Sequence, residues 1–274
     1  VSLSRADVQR MLAAHGVRPA KALGQNFVAD PNTVARIARL AELTPGATVV
    51  EVGAGLGSLT LALAAEGAHV VAVEVDRRLA AALRDAVAGL AVDVVEADAL
   101  ELSWPGLLAG RPEPIELVAN LPYRVATPVM LRVLEEAPAI RRCLVMVQRE
   151  VGQRWVAGPG DPAYGAVSVR VAYWATATVV GRVPATVFVP RPRVDSVLVR
   201  LGRRERPGID PDVVPYSRFV SVLRAGFAHR RQMLRRALAG VVDPGAFERA
   251  GVDPAARAET LDLAAWGRLA EPLR

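Results

Sequence analysis

Apolar and polar positions change period several times along the chain. Residues 4–15 read as a helix, with Ser4 placed to cap it and Gly16 to stop it. Asp30-Pro31 opens a second helix, since aspartate caps and proline suits the first helical position. From residue 48 short β-branched runs alternate with helical stretches. Strands are predicted at 48–52, 69–75, 92–96, 115–119 and 143–148, and helices at 59–65, 77–87 and 127–135. Strands that alternate with helices imply a mostly parallel sheet covered on both faces.

From about residue 176 the pattern changes. Two strands are predicted at 178–183 and 196–201, around the proline-rich stretch Val189-Pro190-Arg191-Pro192-Arg193. Such a pair suits an antiparallel edge on a doubly wound sheet. Residues 203–215 are polar and proline-bearing and read as a linker. Residues 217–239 read as one strong helix ended by Gly240, and the rest shows short helical pieces without a strand signal. The expected division is a domain at 1–206 and a small all-helical domain at 207–274.

Composition narrows the class. Among 274 residues, 52% are hydrophobic and 23% charged, as in an ordered globular chain. No uncharged apolar run approaches the roughly 20 residues that span a bilayer, and the first residues lack the pattern of a signal peptide. Cys143 is the one cysteine, which excludes an intrachain disulfide and fits a reducing cytoplasm. His15, His69 and His229 are scattered, so no metal site is expected. The formal charge of +6 is compatible with a nucleic-acid partner, but Lys21 is the only lysine among 34 basic residues. Such a bias toward arginine is compositional, so clustering carries more weight than net charge.

The first strand runs into Gly53-Ala54-Gly55-Leu56-Gly57. Glycines there let the backbone turn tightly and approach a cofactor closely. The dinucleotide fingerprint wants its third glycine three residues after Gly55, where Ser58 stands. Glu74 ends the next strand, where a carboxylate accepts from ribose hydroxyls, and Asp98 follows the third, where it can accept from an adenine amine. All three features fall at the C-terminal ends of consecutive strands, where open α/β sheets bind ligands. Together they point to S-adenosylmethionine rather than a dinucleotide.

The fourth strand ends in Asn120-Leu121-Pro122-Tyr123. An adenine amino group is a poor nucleophile, because its lone pair is delocalised into the ring. Two acceptors aimed at its hydrogens favour methyl transfer by stabilising the charge that develops. The Asn120 side-chain oxygen and the Pro122 carbonyl are the candidates, and Tyr123 offers a face for the base. The transfer is an in-line displacement governed by positioning.

These motifs together resemble the KsgA/RsmA family of small-subunit ribosomal RNA adenine dimethyltransferases, over nearly the whole chain. Leu23-Gly24-Gln25-Asn26-Phe27 is similar to its entry loop, and Val50 to Gly57 to its glycine motif. Asn120 to Tyr123 matches its amine-binding motif, and Val187 to Ser196 its late proline-rich signature. Phe227-Ala228-His229-Arg230-Arg231 resembles an arginine motif of its C-terminal domain. The resemblance implies a Rossmann-like class I S-adenosylmethionine methyltransferase sheet with a small all-α C-terminal domain. It implies cofactor contacts from Asn26, Val28, Gly53, Gly55, Glu74, Asp98 and Asn120. It implies a catalytic set of Asn120, Pro122, Tyr123 and Phe188, with Phe188 stacking on the base opposite Tyr123. The implied substrate is a pair of adjacent adenosines near the 3′ end of 16S rRNA, converted to N6,N6-dimethyladenosine on an immature small subunit. Two departures stand out: Arg124 replaces the family's usual asparagine, and Ala228 and His229 stand where polar residues are usual.

RNA contacts are expected where arginine concentrates. Between Arg182 and Arg206 seven arginines stand against two acids, Asp195 and Glu205. Arg230, Arg231, Arg235 and Arg236 would share one face of the 217–239 helix, opposite an apolar stripe of Phe219, Val222, Phe227, Leu234 and Leu238. Arginine suits phosphates because its fork binds bidentately. A cytoplasmic monomer with a role in small-subunit biogenesis is expected. The alternatives are an Erm-type 23S rRNA adenine methyltransferase, which shares the fold, and a non-catalytic assembly factor.

Overall fold

A computed structural model describes residues 3–17, 19 and 25–272. The predicted Leu23-Gly24 part of the entry loop lies outside the described residues. Two compact units emerge, and neither is continuous in sequence. One comprises Val1–Gly152 and Thr178–Gly202, the other Gln153–Ala177 and Arg203–Arg274. The division expected at 206/207 differs, because residues 153–177 share their apolar core with the C-terminal helices. No helix among the described residues is long and apolar enough to cross a membrane.

The first unit opens with helix α1 (Arg5–Ala14), capped reciprocally by Ser4 and Asp7. Strand β1 (Phe27–Val28) precedes helix α2 (Pro31–Ala41), whose Asp30 cap accepts from Thr33 N at 2.9 Å. Then come β2 (Thr48–Val52), α3 (Ser58–Ala65), β3 (His69–Glu74), α4 (Arg77–Ala86), β4 (Val92–Glu96), α5 (Trp104–Leu108), β5 (Ile115–Asn120), α6 (Ala126–Glu136) and β6 (Ile140–Gln148). Helices α7 (Arg149–Val156) and α8 (Ala166–Trp174) follow, then β7 (Ala175–Val183), β8 (Phe188–Val189) and β9 (Ser196–Arg203).

The main sheet has seven strands in the order β4-β3-β2-β5-β6-β9-β7. The pairs β3–β4, β2–β3, β2–β5 and β5–β6 are parallel, and β9 enters antiparallel to β6. Every residue of β2 is buried, as a central parallel strand covered on both faces requires. One core cluster joins Val34 and Ile37 of α2, Leu59 and Leu63 of α3 and the sheet residues Val49, Val70 and Val118. Strands β1 and β8 form a separate two-stranded antiparallel pair, with Phe27 opposite Val189 and Val28 opposite Phe188.

The second unit contains α8, α9 (Tyr216–Ala228), α10 (Leu234–Ala237), α11 (Ala246–Ala250) and α12 (Leu263–Ala270). Tyr164, Val169 and Tyr173 are buried in one cluster with Phe219, Val222, Leu234, Leu238 and Trp266. The rings of Tyr173 and Phe219 stack with centroids 5.1 Å apart. The helix expected over 217–239 is therefore two helices, parted at 229–233. Arg230 in that gap donates to Glu259 at 2.7 Å and to the Pro162 carbonyl at 3.0 Å. Its arginines do not lie on one continuous helix face, although the apolar stripe does pack inward, with Phe227 only partly buried.

Candidate active site

Sheet order decides where a ligand fits in the first unit. Strand β2 has β3 on one side and β5 on the other, so the winding reverses between β2 and β5. A crevice opens at such a switch point, beyond the C-terminal ends of the strands. A cleft lies there, open at its mouth. Its walls are Glu51, Gly53 to Leu56, Glu74, residues 25–28 and Asn120 to Tyr123.

Gly53 brings two of these walls together. Its φ is +74°, and a Cβ there would lie 3.0 Å from both Cγ and Cδ of Pro122. Glycine is thus needed for the left-handed turn and for the close pass beneath the proline. The Pro122 carbonyl accepts from Val125 N at 3.1 Å, and its second lone pair remains for another donor.

Asn120 ends β5, and its Nδ2 donates to the Asn26 carbonyl at 3.2 Å. A carbonyl oxygen only accepts, so this bond fixes which end of the amide is which. Oδ1 is left buried and without a hydrogen-bond partner among the described residues, on a residue that lines the cleft. An unpaired buried acceptor costs about 1–3 kcal/mol. Native folds keep such a group where a ligand or water completes it.

The segment that orients Asn120 is itself anchored. The Gln25 Nε2 donates to Asp76 at 3.3 Å, β1 pairs with β8, and Ala29 N donates to the Val187 carbonyl at 2.8 Å. Asp76 also caps α4, accepting from Arg78 N and Leu79 N.

Two carboxyls stand at the ends of β2 and β3. Glu74 is 5% exposed and accepts from Gly55 N at 2.8 Å and from Asp76 N at 2.9 Å. Burial holds its pKa above the usual carboxylate value despite those bonds. Glu51 is 2% exposed and accepts from the Thr60 hydroxyl at 2.6 Å. Burial first, and the charge of Glu74 second, push its pKa up to about 8 against the Thr60 bond. Burial thus favours the protonated form of Glu51. The cleft wall is rich in acceptors, which suits a ligand that brings hydrogen-bond donors.

Tyr123 is half-buried, its hydroxyl 3.0 Å from Oγ of Ser196. Burial raises its pKa, partly offset by the Ser196 bond. Asn26, Val28, Gly53, Gly55, Glu74, Asn120, Pro122 and Tyr123 thus converge on one cleft. Two predicted residues do not line it. Asp98 is exposed after β4, and its carboxylate accepts from Leu100 N at 2.8 Å. Phe188 is 0% exposed, packed in the core with Val28, Val183 and Leu198. Pairing of β8 with β1 turns it inward, so it does not face Tyr123 across the cleft.

Sequence reasoning assigned no role to Glu51, Gln25 or Ser196. Glu51 did leave a signal, as a lone carboxyl within a run of valines. Gln25 and Ser196 act through partners distant in sequence, which no local pattern reveals.

Comparison with known proteins places this arrangement. A model of the family described as ribosomal RNA adenine dimethylase matches residues 17–274. The ribosomal RNA small subunit methyltransferase A of Thermobifida fusca is 48% identical over 280 residues, covering 98% of this chain and 95% of that protein. The crystal structure of the 23S rRNA methyltransferase ErmE is 29% identical, with a TM-score of 0.67, over 89% of this chain and 98% of that one. A dimethyladenosine transferase from Plasmodium falciparum shares the fold, with a TM-score of 0.72 at 22% identity, over 88% of this chain and 94% of that one. The fold is that of class I S-adenosylmethionine methyltransferases: a mostly parallel seven-stranded sheet with an antiparallel member.

Proposed function

The chain belongs to the ribosomal RNA adenine dimethylase family, and on that footing we propose that its cleft dimethylates N6 of adenines in small-subunit ribosomal RNA, with S-adenosylmethionine as methyl donor. The observation that carries the chemistry is the open, buried Oδ1 of Asn120, held in place by the Asn26 carbonyl. The 16S substrate and the two adjacent adenosines near its 3′ end follow from the resemblance of the motifs. The 23S alternative is not favoured, since the 48% identical relative is named for the small subunit and the 23S enzyme is 29% identical. A purely non-catalytic role would leave the oriented acceptor at Asn120 without a purpose.

The residues present fit the cofactor. Asn26, Val28, Gly53, Gly55, Glu74 and Asn120 would hold it in the cleft, Glu74 accepting from its ribose hydroxyls. Asp98 would serve the adenine amine from beyond β4. When bound, S-adenosylmethionine supplies a methyl group on a cationic sulfur and departs as a neutral thioether.

The chain's own part is to present the target nitrogen. An extruded adenine lies against the ring of Tyr123. Asn120 Oδ1 accepts one N6 hydrogen and the remaining lone pair of the Pro122 carbonyl accepts the other. Both acceptors bind more strongly as N6 gains positive charge, so they lower the barrier rather than merely bind the base. With the donor bound, the N6 lone pair would take the methyl group and one N6 proton would pass to water. In the second turnover the monomethylated amine has one hydrogen, so a single acceptor would hold it, and that hydrogen is the proton released. Phe188, in this conformation, acts from within the core by supporting β1.

Arg191 and Arg193 are exposed on the loop that enters β9, and Arg231, Arg235 and Arg236 are exposed in the second unit. These are the phosphate contacts we assign, with residues 207–274 docking the rRNA. The protein would act as a monomer on an immature small subunit in the cytoplasm. Purified protein with labelled cofactor should methylate unmodified small subunits at N6 of adenine. Transfer to large subunits alone would refute the assignment.

A further inference from the structure

Ser196 stands beside Tyr123 because of the direction of its strand. Parallel strands send their C-terminal ends to the crevice, whereas an antiparallel neighbour sends its first residue there. Strand β9 runs antiparallel to β6 with Ser196 opposite Gln148, and Ser196 is its first residue. The residue before it is tied down from both sides: Asp195 Oδ1 accepts from Ala185 N at 2.9 Å, and the Asp195 carbonyl accepts from Arg149 N at 3.0 Å. Ser196 itself is 0% exposed. It is a fixed point behind Tyr123, and its hydroxyl lies 3.0 Å from that of Tyr123.

An aromatic side chain turns about two torsions, of which the second is broad and soft. The second turns the ring about an axis that passes through the para oxygen, so a partner there restrains the first torsion and with it where the ring lies. We propose that Ser196 is a positioning residue for the target base, its hydroxyl holding in place the axis of the Tyr123 ring on which the adenine lies. The proposal rests on the reading of Tyr123 as the stacking face. Ser196 touches neither base nor cofactor in this role. It limits the sideways displacement of the ring and of the base on it, and hence the alignment of N6 with the methyl carbon, to which an in-line displacement is sensitive.

The test uses the full chain with Ser196→Ala, Tyr123→Phe, the double variant and Tyr123→Ala, unmodified small subunits and labelled S-adenosylmethionine. Ser196→Ala and Tyr123→Phe each remove the same bond, so each should lower kcat about tenfold. The double variant should fall no further than either alone. Cofactor affinity by titration should stay at the wild-type value. Wild-type kcat in Ser196→Ala beside an inactive Tyr123→Ala would overturn the positioning role and leave the stacking role standing. So would losses that multiply in the double variant, or a Ser196→Ala defect matched by weakened cofactor binding. Normal turnover of Tyr123→Ala would overturn the stacking reading itself.

Discussion

Asn120 and Glu51 show how one buried oxygen can serve chemistry and another can tax the fold. The Asn120 amide is locked by Asn26, so Asn120→Ala removes a preset acceptor and little packing. It should lower kcat by about 10²–10³, the usual loss for one aimed electrostatic partner, while cofactor binding by titration is largely retained. Glu74→Ala should do the reverse and weaken cofactor affinity, because the ribose acceptor is gone and Gly55 N loses its partner. Glu51 acts through pH. Its pKa rises from 4.5 to about 8 on folding, so between those values the native state binds more protons than the unfolded one. Its contribution to stability is full below about pH 4.5 and is lost as pH rises toward about 8. The slope is at most ~1.4 kcal/mol per pH unit. Glu51→Gln keeps the shape without the proton equilibrium, so calorimetric melting across that range should show a flatter profile than wild type. Glu74 is shifted the same way and leaves part of the slope in place. Asn120 was legible in the sequence because its motif sits at a strand end. The protonation of Glu51 was not, since it follows from burial that only the assembled sheet supplies.

The elements of the parallel sheet were the most legible, because β-branched runs between helical patterns leave few alternatives. Strands β2 and β4 fall at the predicted residues, β3 ends one residue sooner, and the others extend by one to three residues at an end. Strands β1 and β8 have two residues each, too few for any period to show. The break after α9 has a tertiary cause: the ties of Arg230 and the isolated bridge between Met233 and Arg257 outweigh local helix propensity. Helix α7 escaped notice partly through Gly152, a poor helix former. There a Cβ would lie 2.3 Å from Val197 Cγ2 and 3.0 Å from Val199 Cγ2. In an exposed helix Gly→Ala gains roughly 0.5–1 kcal/mol, whereas overpacking a core costs roughly 1–3 kcal/mol. Packing should win, so Gly152→Ala should lower the melting temperature. A raised one would show that the valines yield.

In the molecule as a whole, the division at 206/207 looked natural because a proline-bearing polar stretch follows the last strand. The actual grouping rests on apolar contacts that sequence order hides. Tyr164, Val169 and Tyr173 share a core with Phe219 and Trp266. A chain cut after residue 206 would strip that core from α8 and expose these rings. Such a truncation should bind a hydrophobic dye and aggregate, rather than behave as a free-standing methyltransferase domain; a monomeric fragment with a sharp melt would contradict this.

The reversal of winding between β2 and β5 has a consequence for inheritance. Strands β4, β3 and β2, on one side of that seam, end in the residues assigned to the methyl donor, and all precede residue 99. Strands β5, β6, β9 and β7, on the other side, carry Tyr123, Ser196 and the loop arginines. The seam is held by backbone pairing of Thr48 to Ile115 and Val50 to Leu117, which is indifferent to side-chain identity. A genetic crossover within residues 99–114 would then exchange the target-handling half between relatives while leaving most of the donor site whole. Asn120, assigned to both duties, would travel with the target.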